Sequence, residues 1–301
     1  MILITEFMDE DWVAFLRERG EVRYAPEMHA SPDDLAAAAG AARALIVRNR
    51  TQVRGDLLDA GFAVVGRLGV GLDNIDLDGC AARGIEVIPA AGANTLSVAE
   101  YVVTTAALML RGAYGTTGAV AAGDWPRAEA GRGREVSGKI LGLVGYGAIA
   151  REVARLARPF GFQVIAHDPA LRGAAFGETR DGPLDAVLAL SDVVSLHVPL
   201  TEGTRRMIGA EALALMKDDA ILINAARGGV VDEAALAAAL REGRLGGAVL
   251  DCFESEPLGA GSVFADCPNL LLTPHVAGVT REANARVSEM IARKVAAALG
   301  G

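Results

Sequence analysis

The 301-residue sequence has only three cysteines, Cys80, Cys252 and Cys267, and none stands in a C-x-x-C or other metal-ligand spacing. So sparse and odd a set excludes a disulfide framework and a structural zinc site, and it fits a reducing compartment. No metal is expected. Positive charge is also short: lysine occurs only at Lys139, Lys217 and Lys294, and acidic residues outnumber basic ones to leave a net charge of −9. Such a surface is unsuited to a nucleic-acid backbone or an anionic membrane, although a local basic pocket can still exist on it. Long apolar runs are missing as well. None approaches the roughly 20 residues that span a bilayer, and the opening MILITEF reads as a strand rather than a secretion signal. The expectation is a cytoplasmic protein without nucleic-acid or membrane partners.

What is present is a chain of 51% hydrophobic and 22% charged residues, a globular composition long enough for one large or two medium domains. Apolar strands at Ile2–Ile4, Val22–Tyr24, Leu45–Val47, Val64–Leu68 and Val87–Ile88 alternate with helical stretches. The helices are cued by Asp9–Arg19, by Ser31 as N-cap with Pro32 at N1, and by Arg54–Ala60 ahead of Gly61. An apolar helix from Asn94 to Arg111 and a Gly- and Ala-rich polar stretch then mark a crossing into a second domain. From Lys139 a second series supplies strands at Ile140–Val144, Gln163–His167, Val193–Leu196, Ala220–Ile223, Ala248–Leu250 and Leu270–Leu272. About six parallel strands are what a doubly wound dinucleotide-binding sheet needs. Thr280–Leu299 has helical spacing with no strand after it, and is expected to fold back on the first domain.

Gly145-Tyr146-Gly147-Ala148-Ile149-Ala150 sets a G-x-G-x-x-A pattern between a strand and an amphipathic helix. Gly145 would allow the tight turn, Gly147 close approach of a pyrophosphate, and Ala150 close packing of helix on strand. On its own the pattern is equally that of a tight strand-to-helix turn. The next strand, however, ends in Ala166-His167-Asp168, about twenty residues on, where an acid would bond ribose hydroxyls. Asp168 would repel a 2′-phosphate, so NAD is expected in preference to NADP.

Three polar groups follow late strands: Arg227, Glu256 and His275. Taken singly, each reads equally as a surface charge or a satisfied loop residue. Together they match a need. Reducing a 2-keto acid with a hydride takes a proton donor for the developing alkoxide, which a carboxylate-supported histidine provides. It also takes a cation for the carboxylate, which the arginine fork provides.

Here the sequence resembles the D-isomer-specific 2-hydroxyacid dehydrogenases, along nearly its whole length. The resemblance is carried by Gly69–Asp76, Asn94 with Val98-Ala99-Glu100, the Gly145/Gly147 loop, His197–Thr201, Asn224–Gly228, Asp251–Pro257 and Pro274-His275. It implies an α/β protein of two Rossmann-like or flavodoxin-like domains with parallel sheets, meeting at an active-site cleft. Residues 1–93 with 280–301 would bind substrate and residues 94–279 would bind NAD. It further implies that Arg227 binds substrate, His275 is the general acid/base and Glu256 its partner. Val70, Gly71 and Asn94 would help hold the substrate. Ala148, Ile149, His197, Val198, Pro199, Thr204, Ala225, Ala226, Asp251 and Gly278 would line the cofactor site with His275, Asp251 lying near the nicotinamide amide. Ala150 in place of the more usual third glycine and a short loop from Glu256 to His275 depart from the family pattern without removing a catalytic group.

The segment Arg48-Asn49-Arg50 lies at the end of the third strand, where the resemblance places substrate contacts. Two arginines in an acidic protein suit a second anionic group, such as a phosphate or sulfonate. The expected substrate is therefore 3-phosphoglycerate or sulfolactate, with hydroxypyruvate or glyoxylate as the alternative. No C-terminal regulatory domain is expected after Gly301. A non-catalytic NAD-sensing scaffold on the same fold is the rival of another class. The resemblance and the apolar helix Val98–Leu110 point to a homodimer joined through the cofactor domains.

Overall fold

A computed structural model of the chain describes residues 1–300. By their contacts they form two units, residues 1–94 with 279–300, and Thr95–Gly278.

In the first unit, β1 (Ile2–Ile4), β2 (Val22–Tyr24), β3 (Ala44–Val47), β4 (Val64–Arg67) and β5 (Glu86–Pro89) make an all-parallel sheet in the order β2-β1-β3-β4-β5. Every residue of β1 and β3 is buried. Parallel strands are covered on both faces, so these two read as unbroken apolar runs. The period of two sends Ile2 and Ile4 to one side, where Val13 and Leu16 of α1 (Glu10–Arg17) and Val287, Ile291 and Val295 of the C-terminal helix (Arg281–Ala298) cover them. Leu3 faces the other way, among Leu35 and Ala38 of α2 (Pro32–Ala39) and Cys80 of α3 (Leu77–Ala82).

Two local expectations need correction. Ser31 precedes α2 but makes no side-chain capping bond, so Pro32 at N1 and Asp33 and Asp34 in the first turn start that helix. The Arg54–Ala60 stretch is a 3₁₀ helix, Gly55–Ala60, ended by left-handed Gly61.

The second unit opens with α4 (Thr95–Arg111) and the short α5 (Thr117–Ala121) and α6 (Arg127–Ala130). Its strands are β6 (Ile140–Val144), β7 (Gln163–His167), β8 (Arg180–Asp181), β9 (Val193–Leu196), β10 (Ile221–Asn224), β11 (Gly247–Leu250) and β12 (Leu270–Leu272). All pair in parallel, in the order β12-β11-β10-β9-β6-β7-β8. Seven strands stand where six are expected, because β8 is two exposed polar residues paired only with Ile165 and Ala166. β10 starts one residue late and ends on Asn224, which pairs with both Leu196 and Leu250. The chain moves outward from β6 to β8, then returns to β9 at the other side of β6. Strand order reverses between β6 and β9, which is where open sheets of this kind receive a ligand. Helices α7 (Ala148–Phe160), α8 (Leu184–Leu190), α9 (Ala210–Leu215) and α10 (Glu233–Arg241) cover the faces. α4 packs on α7 through Val98, Ala99, Val102 and Ala106 against Ala150, Val153, Ala154 and Ala157.

Among the described residues, no helix is long and apolar enough to cross a membrane, and no group of three or more His, Cys, Asp or Glu is placed to hold a metal ion.

Candidate active site

The glycine loop joins β6 to α7 at the strand reversal. Gly145 has φ +86°, and a Cβ added there would sit 2.6 Å from the His197 carbonyl oxygen, so only glycine turns the chain against the end of β9. Gly147 is different in kind. A Cβ there would meet nothing within 4 Å, and no side chain caps the first turn of α7. The leading N–H groups of a thirteen-residue helix, beginning at Ala148 and half-buried Ile149, therefore face open space. Free helix-start amides at an unobstructed position are what a phosphate needs.

Asp168, just past β7, is only partly buried. Its Oδ2 accepts the Tyr146 N–H at 2.9 Å and its Oδ1 the Ala170 N–H at 2.9 Å. The carboxylate thus ties the glycine loop to β7, and its oxygens have further lone pairs that a hydroxyl could use. Opposite, the His197 N–H donates to the Val144 carbonyl at 2.7 Å, and its Nε2 lies 3.0 Å from Ser195 Oγ. Burial pushes the His197 pKa down to about 4, so this imidazole is a neutral wall of the loop and not a cation for phosphate. Thr204 Oγ1 donates to the Pro199 carbonyl at 2.6 Å and so shapes the Val198–Thr201 loop from within.

The arginine loop is built by a side chain. Asn224 is 1% exposed; its Nδ2 donates to the Arg227 carbonyl at 2.9 Å and its Oδ1 accepts the Ala226 N–H at 3.1 Å, folding Ala225–Arg227 into a turn. The next residue passes against the Cys252–Pro257 loop so closely that a Cβ on Gly228 would lie 1.7 Å from the Phe253 carbonyl oxygen. Arg227 is half-buried, with Nη1 on the Ala226 carbonyl at 2.6 Å.

His275 Nδ1 lies 2.8 Å from Glu256 Oε2 and 3.0 Å from Oε1. Facing a carboxylate, that nitrogen carries a proton, and Nε2 becomes the nitrogen that exchanges one. Glu256 Oε1 also accepts the Phe253 N–H at 3.0 Å, which orients the acid. His275 has φ +57°, a backbone state unusual for a non-glycine residue and found where surrounding structure enforces it. The enforcing group is Asp251, 1% exposed at the end of β11. Its Oδ1 accepts the Thr273 hydroxyl at 2.6 Å and the Val276 N–H at 2.8 Å; its Oδ2 accepts the Ala277 N–H at 2.8 Å, just ahead of Gly278. Asp251 is thus the clamp of the histidine turn, a role given by none of the motifs. Thr273 is likewise a residue that sequence reasoning misses.

Within the first unit, the Arg48–Arg50 segment hangs on a residue also not foreseen. Glu6, 4% exposed, accepts the Arg48 and Thr51 N–H groups on Oε1 at 2.8 and 2.9 Å, and the Arg50 N–H on Oε2 at 3.0 Å. Burial alone would raise its pKa, but the three amide donors outweigh that and hold it below the usual carboxylate range. The two arginines differ. Arg48 Nη2 donates to Asn284 Oδ1 at 2.5 Å with its guanidinium 5.9 Å from the Phe7 ring, and burial lowers its pKa. Arg50, like Asn49, is exposed, its Nη1 3.3 Å from His29 Nε2. Val70 is exposed and Gly71 half-buried after β4, while Asn94 Oδ1 is buried with no hydrogen-bond partner.

The NAD binding domain of the D-isomer specific 2-hydroxyacid dehydrogenases matches residues 103–277. An (S)-sulfolactate dehydrogenase of Chromohalobacter salexigens is 51% identical over 304 residues, covering 99% of this chain and 98% of that protein. The chloroplastic D-3-phosphoglycerate dehydrogenase 2 of Arabidopsis thaliana is 39% identical over 100% of this chain, which spans 48% of that longer protein. Among solved structures, the TT0316 protein of Thermus thermophilus superposes with a TM-score of 0.92 at 32% identity, covering 100% of this chain and 97% of that one.

Proposed function

This chain belongs to the family of D-isomer-specific 2-hydroxyacid dehydrogenases, and on that premise we propose that it interconverts a 2-hydroxy acid bearing a second anionic group with its 2-keto acid. The observation that carries the reading is the pairing of His275 Nδ1 with both oxygens of Glu256. It leaves Nε2 to deliver a proton to the alkoxide as the keto acid is reduced, while the Glu256 carboxylate stabilises the imidazolium at other points of the cycle. Arg227 grips the substrate carboxylate and polarises the carbonyl. Bound NAD supplies the hydride chemistry. Gly145, Gly147, Ala148 and Ile149 would hold its pyrophosphate at the start of α7, and Asp168 its ribose. His197, Val198, Pro199, Thr204, Ala225, Ala226, Asp251 and Gly278 would line the rest.

Of the first unit, Arg48, Asn49, Arg50, Val70, Gly71 and Asn94 are proposed to serve the substrate. Arg50 is the residue we assign to the second anion, since its guanidinium is exposed whereas Arg48 is held by Asn284 and Phe7. We place a sulfonate ahead of a phosphate, a choice supported by the relative that is a sulfolactate dehydrogenase and is matched along almost its full length.

The deciding experiment is NADH and NADPH oxidation with 3-sulfopyruvate, 3-phosphohydroxypyruvate, hydroxypyruvate and glyoxylate. We expect NADH with sulfopyruvate to give the highest kcat/KM. A best rate with glyoxylate refutes the second anion, and NADH binding without turnover of any keto acid would leave only a scaffold. We further propose a cytoplasmic homodimer. Its basis is an open groove of about 390 Å³ on α4 and α7, lined by Val103, Ala107, Leu108, Leu156 and Phe160, the last 53% exposed. A monomeric mass by light scattering overturns it.

A further inference from the structure

Tyr101 stands on the part of α4 that also carries Val98 and Val102, and its hydroxyl lies 2.6 Å from Thr273 Oγ1. Thr273 has a single hydroxyl proton, and that hydroxyl is 2.6 Å from Asp251 Oδ1, a carboxylate oxygen that can only accept. Thr273 therefore donates to Asp251, and Tyr101 donates to Thr273. The direction of the chain is set by chemistry. Burial pushes the Tyr101 pKa up to about 12, so the phenol keeps its proton throughout any working range.

The relay ends on Asp251, whose remaining bonds take the Val276 and Ala277 N–H groups. Those two residues follow His275, and the bonds close the turn in which His275 adopts φ +57°. Meanwhile α4 packs through Val98, Ala99, Val102 and Ala106 on α7, the helix that begins at the glycine loop. One helix thus touches the proposed cofactor helix by its apolar face and the proposed acid–base turn by a hydrogen-bond chain.

We propose that Tyr101 is a positioning residue: acting through Thr273 and Asp251, it sets the histidine turn against the helix of the glycine loop. The inference rests on the reading of His275 as the proton donor, and it adds a residue that none of the motifs contains. Tyr101→Phe keeps the ring and its packing and removes only the hydroxyl that donates to Thr273.

The test uses Tyr101→Phe in the full chain, read by kcat, NADH affinity, thermal midpoint and the low-field Nδ1–H proton of His275. With four histidines in the sequence, that signal is assigned by its loss in His275→Asn. We expect kcat to fall about five- to tenfold with NADH affinity and midpoint unchanged, the pattern of a lost transition-state alignment. The low-field proton should shift or broaden. Thr273→Ser, which keeps the hydroxyl, should stay near the parent; Thr273→Val should lose at least as much as Tyr101→Phe, and the double variant no more than Thr273→Val alone. Parent-like kcat with an unmoved proton signal overturns the proposal, as does a loss matched by equal falls in NADH affinity and midpoint. If the parent reduces no keto acid the functional reading fails, and the proton signal still decides whether Tyr101 positions His275.

Discussion

Replacing Glu6 by glutamine should destabilise the first unit at neutral pH, and the cost should fade in acid. Glutamine has the same shape and can keep the Oε1 bonds to the Arg48 and Thr51 N–H groups, 2.8 and 2.9 Å in the parent. Its NH₂ must then face the Arg50 N–H, which now sits 3.0 Å from Oε2. One charge-assisted bond becomes a donor–donor contact in a side chain only 4% exposed, a change of about 2–4 kcal/mol. The pH dependence follows from linkage. The folded carboxyl sits below its ordinary value, so the unfolded chain binds more protons and stability rises with pH. The Glu6 contribution is complete above the unfolded pKa of about 4.3 and is lost as pH falls through the folded one. Glutamine takes up no proton, so the gap between parent and variant should be full at pH 7 and shrink below about pH 4. Urea titration in a Trp125→Phe background isolates Trp12, the other of the two tryptophans, which is half-buried against the core of the first unit. A gap under about 1 kcal/mol at pH 7, or one that stays constant on acidification, refutes the argument.

The two loop glycines should separate folding from binding. Gly147→Ala meets no protein atom within 4 Å, so its thermal midpoint should match the parent while NADH affinity, followed by fluorescence, falls about tenfold. Gly145→Ala should lower both, because its Cβ would sit 2.6 Å from a backbone oxygen; a normal midpoint there would contradict the structure. Glu256→Gln should cut kcat about 100-fold with NADH affinity intact, since it keeps the acceptor for Nδ1 but removes the charge. A parent-like kcat would remove Glu256 from the mechanism. Arg50→Ala should raise KM for sulfopyruvate far more than for glyoxylate, and equal effects would sink the assignment. Arg48→Ala should in addition lower the midpoint, because it loses Asn284 and Phe7.

How much was legible in the sequence depends on how local each signal is. β1 and β3, buried on every residue, announce themselves as apolar runs, and the glycine loop has its strand directly before it and its helix directly after it, within one unbroken stretch from Ile140 to Phe160. β8 is two polar residues with no period to detect, and α3, Leu-Asp-Gly-Cys-Ala-Ala, has no clear apolar stripe. Arg227, Glu256 and His275 stand out as candidates because each follows a strand within six residues and lies inside a local motif. Their supports do not. Glu6 acts on amides more than 40 positions away, and Tyr101 meets Thr273 across 172 positions. Neither pairing leaves a pattern along the chain; only the closing of the sheets creates it.

The Asp251 clamp has a practical corollary. It grips positions 276 and 277 by their amides alone, and the Val276 residue is 38% exposed. The curvature of this turn is therefore written in the main chain, and position 276 is spare lettering beside the histidine. A cysteine placed there and tagged with a fluorinated probe would put a reporter one residue from His275 without touching what shapes its turn.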